Sequence, residues 1–401
     1  MAFRLLFRGY TSTGAFRPGF HHRFVERYVA NGRFGSIHRG FSSHSEAQRL
    51  KLPRRGLDIA VPGRERSVGR WLLSCAGLTA GVMTIGAYVR LNESGLSMLD
   101  WKFLGLPLPS TEQEWNKHFD RYKETPEYKS VHYDITLEEY KNIFVNEWVH
   151  RMAGRISGAV FAGGFVYFTL TKALKPAGKV LAAAIGALGV SQAFIGKWMV
   201  ASGFEEPTTE NKTPRVSPYR LTLHFLDALG IYSLCLWNGL NLLSKPEVLE
   251  KVGNVAKVKG WMRRTAIFAL FTMAYGTLVA GNDAGLACNT WPKMMNKYIP
   301  DEIANIESKR QWFENGMIVQ FVHRCMSYLT FASALCALTS AKSGVPVVAK
   351  KAAMGVFHAS MLQIALGIIT VVNQVPLHGA LSHHANALIL WSILLNALRK
   401  F

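Results

Sequence analysis

The sequence predicts an all-α integral membrane protein, with eight transmembrane helices arranged as two pseudo-symmetric four-helix bundles. Three observations carry that expectation: the spacing of the apolar runs, the charge of the loops between them, and an internal repeat. A helix that crosses a bilayer needs roughly 17 to 25 mostly apolar residues. Eight such runs occur, at about 71–89, 148–170, 178–201, 221–243, 264–281, 316–338, 346–373 and 381–398. With 49% hydrophobic and 18% charged residues overall, the chain is too apolar in these runs and too charged between them for a soluble helical protein.

The connections between runs differ in sign. "TKALKPAGK", "SKPEVLEKVGNVAKVKGWMRR" and "SAKSG" are basic, whereas residues 92–146 hold ten Asp or Glu against six Lys or Arg. Basic loops stay on the side from which a membrane protein inserts, so both termini belong on that side. The first 50 residues contain eight Arg, no Lys and two acids, Glu26 and Glu46, among scattered Ser and Thr. That is the composition of a mitochondrial presequence, which places the protein in the inner membrane with its termini in the matrix. Much of the +20 net charge lies in this segment and in short loops, so no nucleic-acid partner is expected. The five cysteines, Cys75, Cys235, Cys288, Cys325 and Cys336, show no C-x-x-C spacing and read as packing residues.

The chain repeats itself. "GAYVRLNESGLSMLDW" (86–101) aligns without a gap on "GTLVAGNDAGLACNTW" (276–291), with Glu93 facing Asp283 in the alignment. "EWVHR" (147–151) matches "QFVHR" (320–324), and "SQAFIG" (191–196) weakly echoes "LQIALG" (362–367). Two halves of four spans enter the membrane in the same sense, related by an axis along its normal. Their expected limits are 66–245 and 260–401.

Four of the runs begin with a histidine: His150, His224, His323, and either His383 or His384 in "LSHHANAL". All four are even-numbered spans, so the imidazoles share one depth, two in each half. An ionisable side chain inside a membrane helix is costly and usually marks function. Imidazoles in pairs across a helix bundle suit the two axial positions of a haem iron, whereas a zinc or copper site needs its ligands around one ion. Gly154 and Gly158 offer room for a flat ring, and Arg151 and Arg324, each directly after a histidine, suit propionates. Glu147 precedes His150 by three residues and so shares its helix face. The second half has Gln320 there, so only the first half keeps a proton-handling group beside its ring.

The motifs "RLNESGLSMLDW", "EWVHRMAGR", "GKWMVASGF", "PRVSPYRLTLH", "GNDAGLACNTWPKM", "FENGMIVQFVHR" and "LSHHANAL", spread over residues 70–399, resemble the mitochondrial haem A synthases. That family oxidises the C8 methyl of haem O to a formyl group, giving haem A for cytochrome c oxidase. The resemblance implies a substrate haem between His150 and His224 and a haem b cofactor between His323 and His383, with His384 the alternative ligand. It implies Glu147 as the catalytic proton carrier, whether an activated oxygen species hydroxylates the methyl or electrons are withdrawn and water supplies the oxygen. Expected partners are haem O, an electron donor or acceptor of ferredoxin type, haem O synthase, membrane lipid and a second copy of the chain. The reading of a different class is a di-haem electron carrier of cytochrome b type.

Overall fold

The computed structural model describes residues 57–205, 214–244, 255–342 and 345–400, so the expected presequence lies outside the described residues. No strand occurs among the described residues. The long helices are α1 (Glu65–Leu91), α4 (Leu137–Leu170), α5 (Pro176–Ala201), α6 (Pro218–Leu243), α7 (Val255–Gly281), α9 (Gly316–Ser340), α10 (Val347–Val372) and α11 (Leu377–Lys400). Shorter helices α2 (Glu112–Lys123), α3 (Pro126–Ser130) and α8 (Gln311–Glu314) lie in the connections. Six of the eight long helices, α1, α4, α5, α7, α9 and α10, are long and apolar enough to cross a membrane. The other two, α6 and α11, carry His224, Asp227 and Asn238, or His383, His384 and Asn386, which lower their apolar character.

The sequence places the helix ends. Two capping boxes, Thr111 with Glu114 and Thr136 with Glu139, start α2 and α4. The second box explains why α4 begins at Leu137, a good three turns ahead of the apolar run at 148. Among the described residues α7 runs from Val255, inside the basic loop. The repeat is visible in the backbone where α1 and α7 end. Ser94 N–H donates to Val89 O at 3.0 Å, and Ala284 N–H donates to Val279 O at 2.9 Å. These bonds close a turn in which Glu93 (φ 52°) and Asp283 (φ 49°) occupy the left-handed region, the helix-ending arrangement that normally takes glycine. Both carboxylates contact Arg215, which holds the two strained turns to each other.

At the centre α1, α6, α7 and α11 pack on one another; α4 and α5 flank one side, α9 and α10 the other. One apolar core runs through all eight. Contacts between α6 and α11 are reciprocal. Tyr232 Oη lies 2.5 Å from Ser392 Oγ, and Trp391 Nε1 donates to Ser233 Oγ at 2.8 Å. Counted from His224 and His383, Tyr232 matches Trp391 and Ser233 matches Ser392. The outward faces present large apolar side chains, among them Ile156, Val166, Val180, Phe194, Phe271 and Ile369, as a lipid-facing surface requires. The flanks are unequal: no residue of α4 between Glu147 and Phe168 is buried, whereas α9 buries eight along its length.

The acidic segment 92–146 is a folded cap over the histidine side. Met98, Phe119, Tyr122, Tyr140 and Phe144 form its own small core, and Trp148 Nε1 ties it to α4 through Leu106 O at 2.8 Å.

Candidate functional site

The four histidines lie on α4, α6, α9 and α11, and each ring rests on a glycine of a neighbouring helix. A Cβ added to Gly86 would stand 2.8 Å from Cε1 of His150; at Gly196 it would stand 3.0 Å from Cε1 of His224. The corresponding distances are 3.2 Å for Gly276 and His323 and 2.9 Å for Gly367 and His383. Ordinary carbon contacts are about 3.5–4.0 Å, so only hydrogen fits at these positions. Gly86 and Gly276 open the aligned repeat, and Gly196 and Gly367 end the weaker one.

The glycine also lets the ring reach backbone. His323 Nδ1 donates to Thr272 O at 3.0 Å, the carbonyl four residues before Gly276. A carbonyl only accepts, so Nδ1 carries the hydrogen and Nε2 keeps its lone pair for a metal. In the first half the carbonyl four residues before Gly86 is that of Val82. It lies near His150 but short of a sound hydrogen bond, and Nδ1 of His150 is buried without a partner, as is Nδ1 of His224.

His323 and His383 face each other with ring centroids 6.4 Å apart. A metal bound by one nitrogen of each ring, at bonds of about 2.0–2.1 Å, sets centroids about 6 Å apart. The centroid separation of the pair is compatible with a metal between the two rings. A small cavity of about 40 Å³ adjoins it, lined by all four helices of this half, including Thr272, Thr330, Ser360 and Gln363. Behind His224 and His383 stand two glutamines that sequence reasoning missed, although both sit in the aligned repeat. Gln192 Nε2 donates to His224 O and Gln363 Nε2 to His383 O, each at 3.1 Å. By this correspondence His383 is the counterpart of His224. His384 points away, its ring 6.2 Å from that of Phe225, the residue after His224.

Glu147 is 4% exposed and accepts from Arg151 Nε at 2.5 Å. Arg151 also donates from Nη1 to Asp100 O at 2.9 Å and from Nη2 to Met98 O at 3.0 Å. Its guanidinium thus joins Glu147 to the cap, with three of its five N–H groups engaged. The second half repeats the arrangement with an amide: Gln320 Oε1 accepts from Arg324 Nη2 at 2.7 Å, and the same Nη2 lies 3.3 Å from Cys288 O. Here Nη1 of Arg324 is buried without a partner, beside a cavity of about 290 Å³ lined by Trp291, Met294, Phe321, Cys325 and Tyr328. Gly154 and Gly158 have open space where a side chain would project.

Over this site the cap carries a polar chain: Tyr122 Oη donates to Glu127 Oε2 at 2.9 Å and lies 2.7 Å from His132 Nδ1, and His132 Nε2 lies 3.5 Å from Glu93 Oε2. Glu93 in turn holds Arg215, which reaches Asp283 at 3.1 Å, and Arg90 donates to Asp283 at 2.8 Å. Burial pushes the Glu127 carboxyl up to about 7. The hydrogen bond between them raises His132 and lowers Glu93 from their usual values.

The family described as "Cytochrome oxidase assembly protein" (COX15-CtaA) matches residues 69–395. "Heme A synthase COX15" of Arabidopsis thaliana is 38% identical over 348 residues, covering 85% of this chain and 76% of that protein. The human protein of the same name is 37% identical over 357 residues, 85% of each chain. "Heme A synthase" of Paracoccus denitrificans is 33% identical over 345 residues, 85% of this chain and 89% of its own. A match of this length, spanning the helices that carry His150, His224, His323 and His383, means that the chain belongs to the COX15-CtaA cytochrome oxidase assembly family.

Proposed function

We propose that this protein is a haem A synthase, an oxidoreductase of the mitochondrial inner membrane that takes the C8 methyl of haem O to a formyl group. The match to the family over residues 69–395 carries the reading, and Glu147, where the second half has Gln320, supports it. Haem O binds in the first half between His150 and His224; haem b binds in the second between His323 and His383. All eight long helices cross the membrane as two related four-helix bundles, with the basic loops and both termini in the matrix. The reciprocal contacts of α6 and α11 support that symmetry.

The chain's residues divide the work. The seating glycines and the glutamines fix the imidazoles before any ring arrives, which limits reorganisation on binding. The thin burial of α4 leaves the first half open to lipid, as an apolar substrate with a long isoprenoid tail requires. Haem b, when bound, supplies one-electron redox chemistry next to that site. Arg324, with Nη1 free beside the larger cavity, meets a propionate of the second haem. Glu147 would take up protons released as the methyl carbon gives four electrons, one at a time, to the electron partner and gains its oxygen from water, with Arg151 holding the carboxylate in place. An electron partner of ferredoxin type and haem O synthase as the source of substrate complete the proposed setting.

Co-expression with a haem O synthase in a bacterium lacking its own haem A synthase tests this. Haem A in the extract is expected; haem O alone, with this protein folded and carrying haem, would overturn the assignment. Two identical haems on the purified protein would favour the electron carrier instead.

A further inference from the structure

The braces behind His224 and His383 differ at one position, and the difference leaves the first short of a hydrogen-bond donor. In the second half the chain is complete. Asn386 Nδ2 donates to Gln363 Oε1 at 2.7 Å and lies 3.2 Å from Ala359 O. Gln363 Nε2 then meets His383 O at 3.1 Å and both ring nitrogens at 3.2 Å. In the first half Asp227 stands where Asn386 does, three residues after the histidine. Gln192 Nε2 still donates to His224 O and lies 3.3 Å from Nε2 of the ring, but Gln192 Oε1 is buried with no partner.

The hydrogens can be counted. Leu188 O, the counterpart of Ala359 O, is approached by Ser191 Oγ at 2.8 Å, and the same hydroxyl lies 3.0 Å from Asp227 Oδ2. A serine hydroxyl carries one hydrogen, and here it faces two acceptors. Among the described residues Asp227 has no cationic partner; its polar contact is Ser191. A carboxylate at 227 accepts from Ser191 and supplies no N–H to Gln192 Oε1, whereas the Asn386 amide supplies one to Gln363 Oε1.

We propose that Asp227 is a positioning residue: by withholding the amide donor that Asn386 gives Gln363, it leaves Gln192, and through it His224, less firmly held, so that the first-half haem exchanges while the second stays resident. The inference rests on the reading that the first half receives the substrate. A synthase must release one haem each turnover and retain the other. The second half locks the glutamine amide from behind; the first leaves its oxygen free, so Gln192 can turn and let the ring go. Partners of this kind behind a metal-bound histidine typically change affinity by about 10- to 100-fold.

The test uses the full chain in lipid nanodiscs, loaded with haem O and haem b, and follows haem transfer to excess apomyoglobin. Wild type should show a fast phase that His224→Ala removes and a slow phase that His383→Ala removes. Asp227→Asn should slow the fast phase by about tenfold, and Asn386→Asp should quicken the slow phase by about tenfold, both with the low-spin bis-imidazole spectrum intact. Gln192→Leu should quicken the fast phase and abolish any effect of residue 227, the signature of an action through Gln192. An unchanged fast phase in Asp227→Asn overturns the inference, as does equal slowing in the Gln192→Leu background. Should Asp227→Asn fail to accumulate, Asn386→Asp tests the same exchange in the other half, and an unchanged slow phase there overturns it. If His224→Ala removes no phase, the two-site reading fails and the inference with it.

Discussion

Substituting alanine for each seating glycine should unseat one imidazole at a time, in an order set by the distances. At Gly86 the new methyl would stand 2.8 Å from Cε1 of His150. Carbon contacts of about 3.5–4.0 Å then require the ring to withdraw by about 0.7–1.2 Å. Metal–ligand distances tolerate only about 0.2 Å, so His150 loses its bond to iron. Gly367→Ala (2.9 Å) and Gly196→Ala (3.0 Å) should behave nearly as badly, and Gly276→Ala (3.2 Å) least, because its ring need retreat by about 0.3–0.8 Å. The helix is not the cause, since alanine favours helix over glycine by about 1 kcal/mol. Haem per protein and the low-spin optical spectrum of each purified variant are the assay. The loss should be confined to the half that carries the substitution. A Gly86→Ala protein with wild-type haem content and an unshifted low-spin spectrum would refute the reasoning, as would a Gly276→Ala protein more damaged than Gly86→Ala.

Glu147→Gln should keep both haems yet stop haem A formation, because Gln320 shows that the same pocket accepts an amide beside arginine; normal haem A yield would remove the carboxylate from the chemistry. His383→Leu should lose the second-half haem and His384→Leu should keep it, judged by haem content, since only His383 faces His323. Arg215→Gln should lower stability by about 1.5–3 kcal/mol, read as a lower unfolding temperature, because it releases two partly buried carboxylates at once. The cap should be most protected from hydrogen exchange near about pH 4.5 and lose protection as pH rises toward about 7. Glu127, raised by burial to about 7, contributes fully below its usual 4.5, and raised His132 fully below its usual 6.5; each contribution is lost as pH rises through the folded value. Lowered Glu93 contributes above its usual 4.5 and loses that contribution as pH falls through its folded value. Protection that increases steadily from pH 6.5 to 8 would contradict this.

The four histidines were legible as candidates in the sequence because an imidazole in an apolar run stands out against its neighbours. The choice of His383 over His384 was not, since adjacent helical residues differ only in direction, and direction depends on which helix lies opposite. The four seating glycines were visible as letters in the repeats, but a glycine that receives a ring looks like any other until the facing helix is known. Gln192, Gln363 and Asp227 were missed for the same reason: their role lies in hydrogen bonds between helices. The start of α4 was readable from the capping box of Thr136 and Glu139. The folded cap was readable in part, through the capping box of α2 at Thr111 and Glu114.

On the proposed function, one chain holds a haem to be changed in its first half and a haem to be kept in its second. Mass analysis of the haems extracted from His224→Ala and His383→Ala proteins, each produced with haem O supplied, tests it most directly. The first variant should retain haem b and lose haem O and haem A; the second should lose haem b and still carry haem O. Loss of haem b from the His224→Ala protein, with haem O retained, would contradict it.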